Sequence, residues 1–143
     1  MRKRMIWIVG CNTALVALSA YGVYREGTYA ASLGLVPLPL WQRLWQDLPD
    51  QILCIALIVG AVAELRRWRS AAIINSVAYV GVAAIVVWGT IILYGERSYI
   101  GGPVFVKALL VEAVPQFSLS ILNLWLYRND WRELRKLNQH VHE

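Results

Sequence analysis

Glu112, Pro115, Gln116, Ser120 and Asn123 stand at offsets of 0, 3, 4, 8 and 11 residues in an apolar stretch, 98–127, whose only charged residues are Lys107 and Glu112. At about 100° per residue, positions 112, 116, 120 and 123 project from one side of a helix. Pro115 distorts that helix: it has no amide hydrogen, so the carbonyl of Val111 loses its donor one position from Glu112. A carboxyl group, a freed carbonyl and the Gln116 amide are a set that can hold a proton, a cation or a polar head group. An ionisable side chain inside a membrane is costly and must face protein, water or a ligand rather than lipid, so this stripe is the strongest pointer to function in the chain.

The elements that position the stripe follow from composition. Apolar residues make up 58% of the 143 and charged residues only 16%, too greasy and too charge-poor for an ordinary soluble domain. Helices crossing about 30 Å of hydrocarbon need about 20 residues each, and four of them use most of the chain. The expected fold is all-α, a four-transmembrane-helix bundle forming one integral membrane domain over 1–143, with spans near 5–24, 48–66, 70–94 and 104–127. The second span is short between Asp50 and Glu64. Both acids sit where a helix started near Leu48 would meet water, with Asp47 as a cap and Pro49 in the first turn.

The net charge of +5 could suggest nucleic acid, but the positive residues follow the topology. With an inside N-terminus, Arg2, Lys3, Arg4, Arg66, Arg67, Arg69, Arg128, Arg132, Arg135 and Lys136 fall on one side, and only Arg25, Arg43, Arg97 and Lys107 fall elsewhere. That bias predicts cytoplasmic N- and C-termini and an integral protein of a prokaryotic cytoplasmic membrane; no nucleic-acid partner is expected. The basic start followed by an apolar run also fits a secretory signal, but four spans explain the same residues without a cut.

Short interfacial amphipathic helices are expected outside the spans. Trp41, Leu44, Trp45 and Leu48 repeat at helical spacing within 37–47, which would place Trp41 and Trp45 as anchors in the outer headgroup layer. The tight basic turn at 65–70 makes the second and third spans an antiparallel hairpin. After Tyr127 a polar tail, 128–143, keeps helical spacing, with Asp130 and Glu133 as a capping pair at a new helix start. Trp131 would anchor this tail at the interface, and Arg132, Arg135 and Lys136 would touch anionic lipid or a partner subunit.

Asn12 on the first span and Asn75 on the third lie in the inner half, with Asn123, and could form with Glu112 and Gln116 a substrate-binding polar seam opening toward the cytoplasm. Against that, asparagines in spans often only bond neighbouring helices, beside close-packing pairs such as Gly10-x-x-x-Ala14 and Ala56-x-x-x-Gly60. Cys11 and Cys54 differ in height by about 12 Å at ~1.5 Å per residue, too far for a disulfide. No histidine lies in a span, and there is no Cys-x-x-Cys pair, phosphate loop or nucleophile beside a histidine base, so neither a metal site, a cofactor nor an enzyme is expected. Two functions remain. The first is a non-catalytic accessory or assembly subunit of a larger membrane complex, partnered by another membrane protein or its own copies within the lipid bilayer. The second is a small carrier or flippase for a polar or lipid-linked substrate, working through Glu112.

Overall fold

The computed structural model describes residues 2–32, 47–95 and 101–140, and those residues are almost wholly helical. Helix α1 is Arg2–Ser32, α2 is Leu48–Leu65 and α3 is Ala71–Gly95. Helix α4 is continuous from Gly102 to His140, in three parts: an α-helical start Gly102–Ala108, a π-helical turn Leu109–Ala113 and a long α-helix Val114–His140. Four stretches are long and apolar enough to cross a membrane: Lys3–Gly22, Leu48–Leu65, Ala71–Gly95 and Gly102–Arg128. The protein is an integral membrane protein built as a helical bundle. Large apolar side chains such as Ile55, Val77, Trp88 and Ile91 are exposed along its outer faces, as lipid contact requires.

Neighbouring helices run antiparallel. Arg4 at the start of α1 lies over the ring of Tyr127 near the end of the apolar part of α4, 5.1 Å from its centroid, so both chain ends leave the bundle at one end. This is the Arg66 end; the other, where α2 begins, is the Asp50 end. The hairpin between α2 and α3 closes by a Schellman motif. Trp68 N–H donates to the Ala63 carbonyl at 2.9 Å and Arg67 N–H to the Glu64 carbonyl at 3.1 Å. Arg67 takes the left-handed position usually given to glycine, at φ 53°.

The core of Ile8, Leu15, Leu57, Ala78, Tyr79, Val82 and Tyr127 lies in the middle and toward the Arg66 end. Two glycines bring α2 and α3 together there. A Cβ at Gly60 would stand 2.0 Å from the Asn75 side-chain oxygen, and one at Gly81 would stand 2.5 Å from a Leu53 methyl. The Gly10-x-x-x-Ala14 pair has no such role, since nothing lies within 4 Å of a Cβ at Gly10.

Several boundaries differ from the sequence expectation. Helix α1 continues past Tyr24 to Ser32, because leaving hydrocarbon at Arg25 does not require leaving the helix. The tail makes no new start: with no glycine or proline between residues 116 and 140, α4 simply continues, and Asp130 and Glu133 fall inside it. Asp47 precedes α2, with Pro49 in the first turn, but makes no side-chain cap bond. Trp41, Trp45 and the segment 37–46 lie outside the described residues, as do the side chains of Arg135 and Lys136.

Candidate functional site

The predicted polar seam is divided in two. At the Arg66 end, Asn12 and Asn75 are fully buried and spend their amides on each other and on the backbone. Asn12 Nδ2 donates to the Leu57 carbonyl at 2.8 Å and to Asn75 Oδ1 at 2.9 Å, while Tyr79 Oη donates to Asn12 Oδ1 at 2.5 Å. Asn75 Nδ2 donates to the Gly60 carbonyl at 3.2 Å and to Tyr127 Oη at 2.9 Å. Tyr127 Oη in turn donates to the carboxylate of Glu64. Helices α1 to α4 are thus joined by one hydrogen-bonded cluster in which both amide hydrogens of each asparagine are engaged.

Two tryptophans close its flanks. Trp7 Nε1 donates to Asn123 Oδ1 at 3.1 Å, and Trp131 Nε1 donates to Ser76 Oγ at 3.0 Å. Trp131 therefore turns onto the bundle, while Arg132 beside it is exposed. Asn123 and Ser120 are fully buried, and their Nδ2 and Oγ atoms have no hydrogen-bond partner among the described residues.

The Asp50 end is arranged differently. Glu112 and Gln116 line a cleft of about 190 Å³ together with Asp47 and Asp50 from the start of α2, Ser19 and Gly22 from α1, and Thr90 from α3. Glu112 reaches across to α1, where one carboxylate oxygen lies 3.6 Å from where a Cβ on Gly22 would be, and it makes a further interaction besides. The local backbone explains its placement. Pro115 cannot donate to the Val111 carbonyl and its ring crowds it, so the helix widens just ahead of the proline. Val114 N–H bonds the Leu109 carbonyl, five residues back, and Glu112 sits within the wide turn so formed. Such turns recur at functional sites in helices.

Asp47 and Asp50 join this cleft where the sequence suggested only a cap and a boundary charge. Because the Asp47 side chain makes no cap bond, it is left to face the cleft. The three carboxylates line the walls without converging: among the described residues, no group of three or more His, Cys, Asp or Glu could hold a metal ion. Next to the cleft a void of about 10 Å³, the room of roughly one water, is lined by Ser19, Asp50 and Gln116 on the cleft side and by Leu15, Leu53, Leu57 and Val82, and beyond it toward the Arg66 end Leu15 and Leu57 are fully buried. An apolar plug therefore separates the two polar regions, and the cleft is blind toward the Arg66 end.

The single seam of Asn12, Asn75, Asn123, Glu112 and Gln116 expected from the sequence is split: the fold puts Glu112 and Gln116 in the cleft, Asn12 and Asn75 in the bonded cluster and Asn123 beside Trp7. Tyr79, Tyr127, Glu64 and Trp7 take part without being expected there. A signal was present for two of them: Tyr79 is four residues after Asn75 and Tyr127 four after Asn123, each on its asparagine's face. Comparison with protein families, with curated proteins and with solved structures finds no match to this chain.

Proposed function

We propose that the protein is a small membrane carrier, with both termini cytoplasmic by the positive-inside bias, that receives a positively charged polar group in the cleft around Glu112. The observation that supports it most is that three carboxylates, the Gln116 amide and the Ser19 and Thr90 side chains line the walls of one open cleft partway through an otherwise greasy bundle. Such walls repel anions and offer acceptors to a cation of organic size, since the carboxylates surround a space rather than a point. Among the described residues the cleft is lined by no histidine, cysteine or lysine, which favours binding over catalysis. Choline is a suitable probe. Purified protein in proteoliposomes is expected to take up radiolabelled choline, and Glu112→Gln is expected to abolish uptake while the helical circular dichroism is unchanged. Equal uptake by the two proteins removes the proposal.

A second reading, the accessory subunit, has one feature in its favour: α4 runs on as a helix to His140, beyond the apolar part that ends at Arg128. A mild-detergent purification would then recover a larger membrane subunit in fixed ratio, lost on trimming 128–143. Recovery of the chain as a monomer or homodimer counts against it.

A further inference from the structure

On the other side of the α3–α4 crossing from the acidic cleft lies an apolar groove of about 300 Å³, lined by Val87, Ile91, Val114, Phe117 and Ser118 among others. The two spaces share walls: Val86 and Thr90 of α3, and Leu109 and Ala113 of α4, line both. They therefore adjoin across these shared side chains, at the level of the π-helical turn. Val87, Ile91 and Phe117 are exposed on the outer face of the bundle, so the groove opens to the acyl chains of the membrane. The cleft by itself is smaller than the about 300–1,000 Å³ usual for small-molecule sites, and the groove brings the pair into that range.

We propose that the ligand is an amphiphilic cation, a positively charged nitrogen carrying an alkyl tail, which enters from the membrane with its head in the Glu112 cleft and its tail in the groove across the α3–α4 seam. Charge complementarity selects the head. Glu112, Asp47 and Asp50 face the cleft, whereas the groove is lined almost wholly by hydrocarbon and the Thr90 and Ser118 hydroxyls. A neutral or anionic head has no comparable match. The groove adds little hydrophobic driving force over lipid, because acyl chains are as apolar as its walls. Its effect is positional: a tail held there sets the head at the depth of Glu112. Of the four shared wall residues Thr90 and Ala113 are small, and the adjoining turn already departs from α-helical bonding. The existing interaction of Glu112 is then shared with, or exchanged for, the incoming head.

This inference rests on the carrier reading, and the two can be separated by measuring binding of decyltrimethylammonium and of choline to full-length protein in nanodiscs. Val87 and Ile91 line the groove and not the cleft, so Val87→Trp and Ile91→Trp each fill the groove from its lipid side, and misfolding of one leaves the other as the test. The expected result is about tenfold weaker binding of decyltrimethylammonium to either variant with choline binding unchanged, and loss of both ligands in Glu112→Gln. If the tryptophan variants bind both cations as the unmodified protein does, the tail does not use the groove and the inference is overturned, while the carrier reading stands. If Glu112→Gln binds both cations normally, the inference and the carrier reading fall together.

Discussion

The two polar regions of this bundle are made of similar groups, amides, hydroxyls and carboxylates, yet one is saturated and the other is lined around a space. In the Arg66-end cluster both amide hydrogens of Asn12 and of Asn75 have acceptors, and all four helices contribute. At the Asp50 end Glu112, Gln116, Asp47 and Asp50 line a cleft of about 190 Å³. Polarity within a membrane does not by itself mark a ligand site. What distinguishes the two is space: the asparagine cluster is packed shut on its own hydrogen bonds, whereas the cleft leaves room beside its polar groups.

The Arg66-end cluster is most vulnerable at Gly60. A valine there would push its Cβ onto the Asn75 side chain, displacing the residue that links Asn12 to Tyr127. Unpairing buried polar groups costs about 1–3 kcal/mol each, so Gly60→Val is expected to lower stability by ~3 kcal/mol or more, read as a large drop in thermal midpoint in detergent. Asn12→Leu removes bonds to Leu57, Asn75 and Tyr79 while keeping side-chain bulk. Its expected cost is about 2 kcal/mol, three interhelical bonds at the ~0.6 kcal/mol average found in membranes, with choline binding retained. A loss of binding in Asn12→Leu at unchanged stability would show that the cluster is not merely structural.

At the cleft the pattern should invert. Asp50→Asn is expected to weaken choline binding several-fold and to leave the thermal midpoint within about 1 °C, because an exposed or half-buried charge on a cleft wall adds little to folding. A midpoint shift as large as that of Asn12→Leu would mean that the cleft carboxylates hold the fold. The smallest effect is expected at Gly10→Ala, where a Cβ meets nothing. Stability should change by less than about 0.5 kcal/mol, in contrast to Gly60, and the same thermal measurement checks it.

Much of this was legible in the residues. The spans could be read because hydropathy over about 20 residues reflects the thickness of hydrocarbon, a one-dimensional requirement. The proline and the acid three residues before it could be read as a local backbone event, and the π-helical turn spans that acid. The cluster was legible only in part: Asn12 and Asn75 were paired by estimated depth, but Tyr79, Tyr127 and Glu64 were not added, since tyrosine in a span reads equally well as an interface anchor and Glu64 as a boundary charge. Asp50 reads in the sequence as a boundary charge, and only the packing shows that it lines the cleft with Gln116 and Glu112.

From the order of residues alone, this protein had to be a membrane-crossing chain with one acid held partway through its last span, because lipid length and the cost of charge act on each segment separately. Which polar groups saturate one another and which remain around a cleft was decided only when the helices packed. The absence of a Cβ at Gly60 lets Asn75 reach α2, the turn ahead of Pro115 holds Glu112 across from Gly22, and both depend on the distance and rotation between helices, which no single segment encodes.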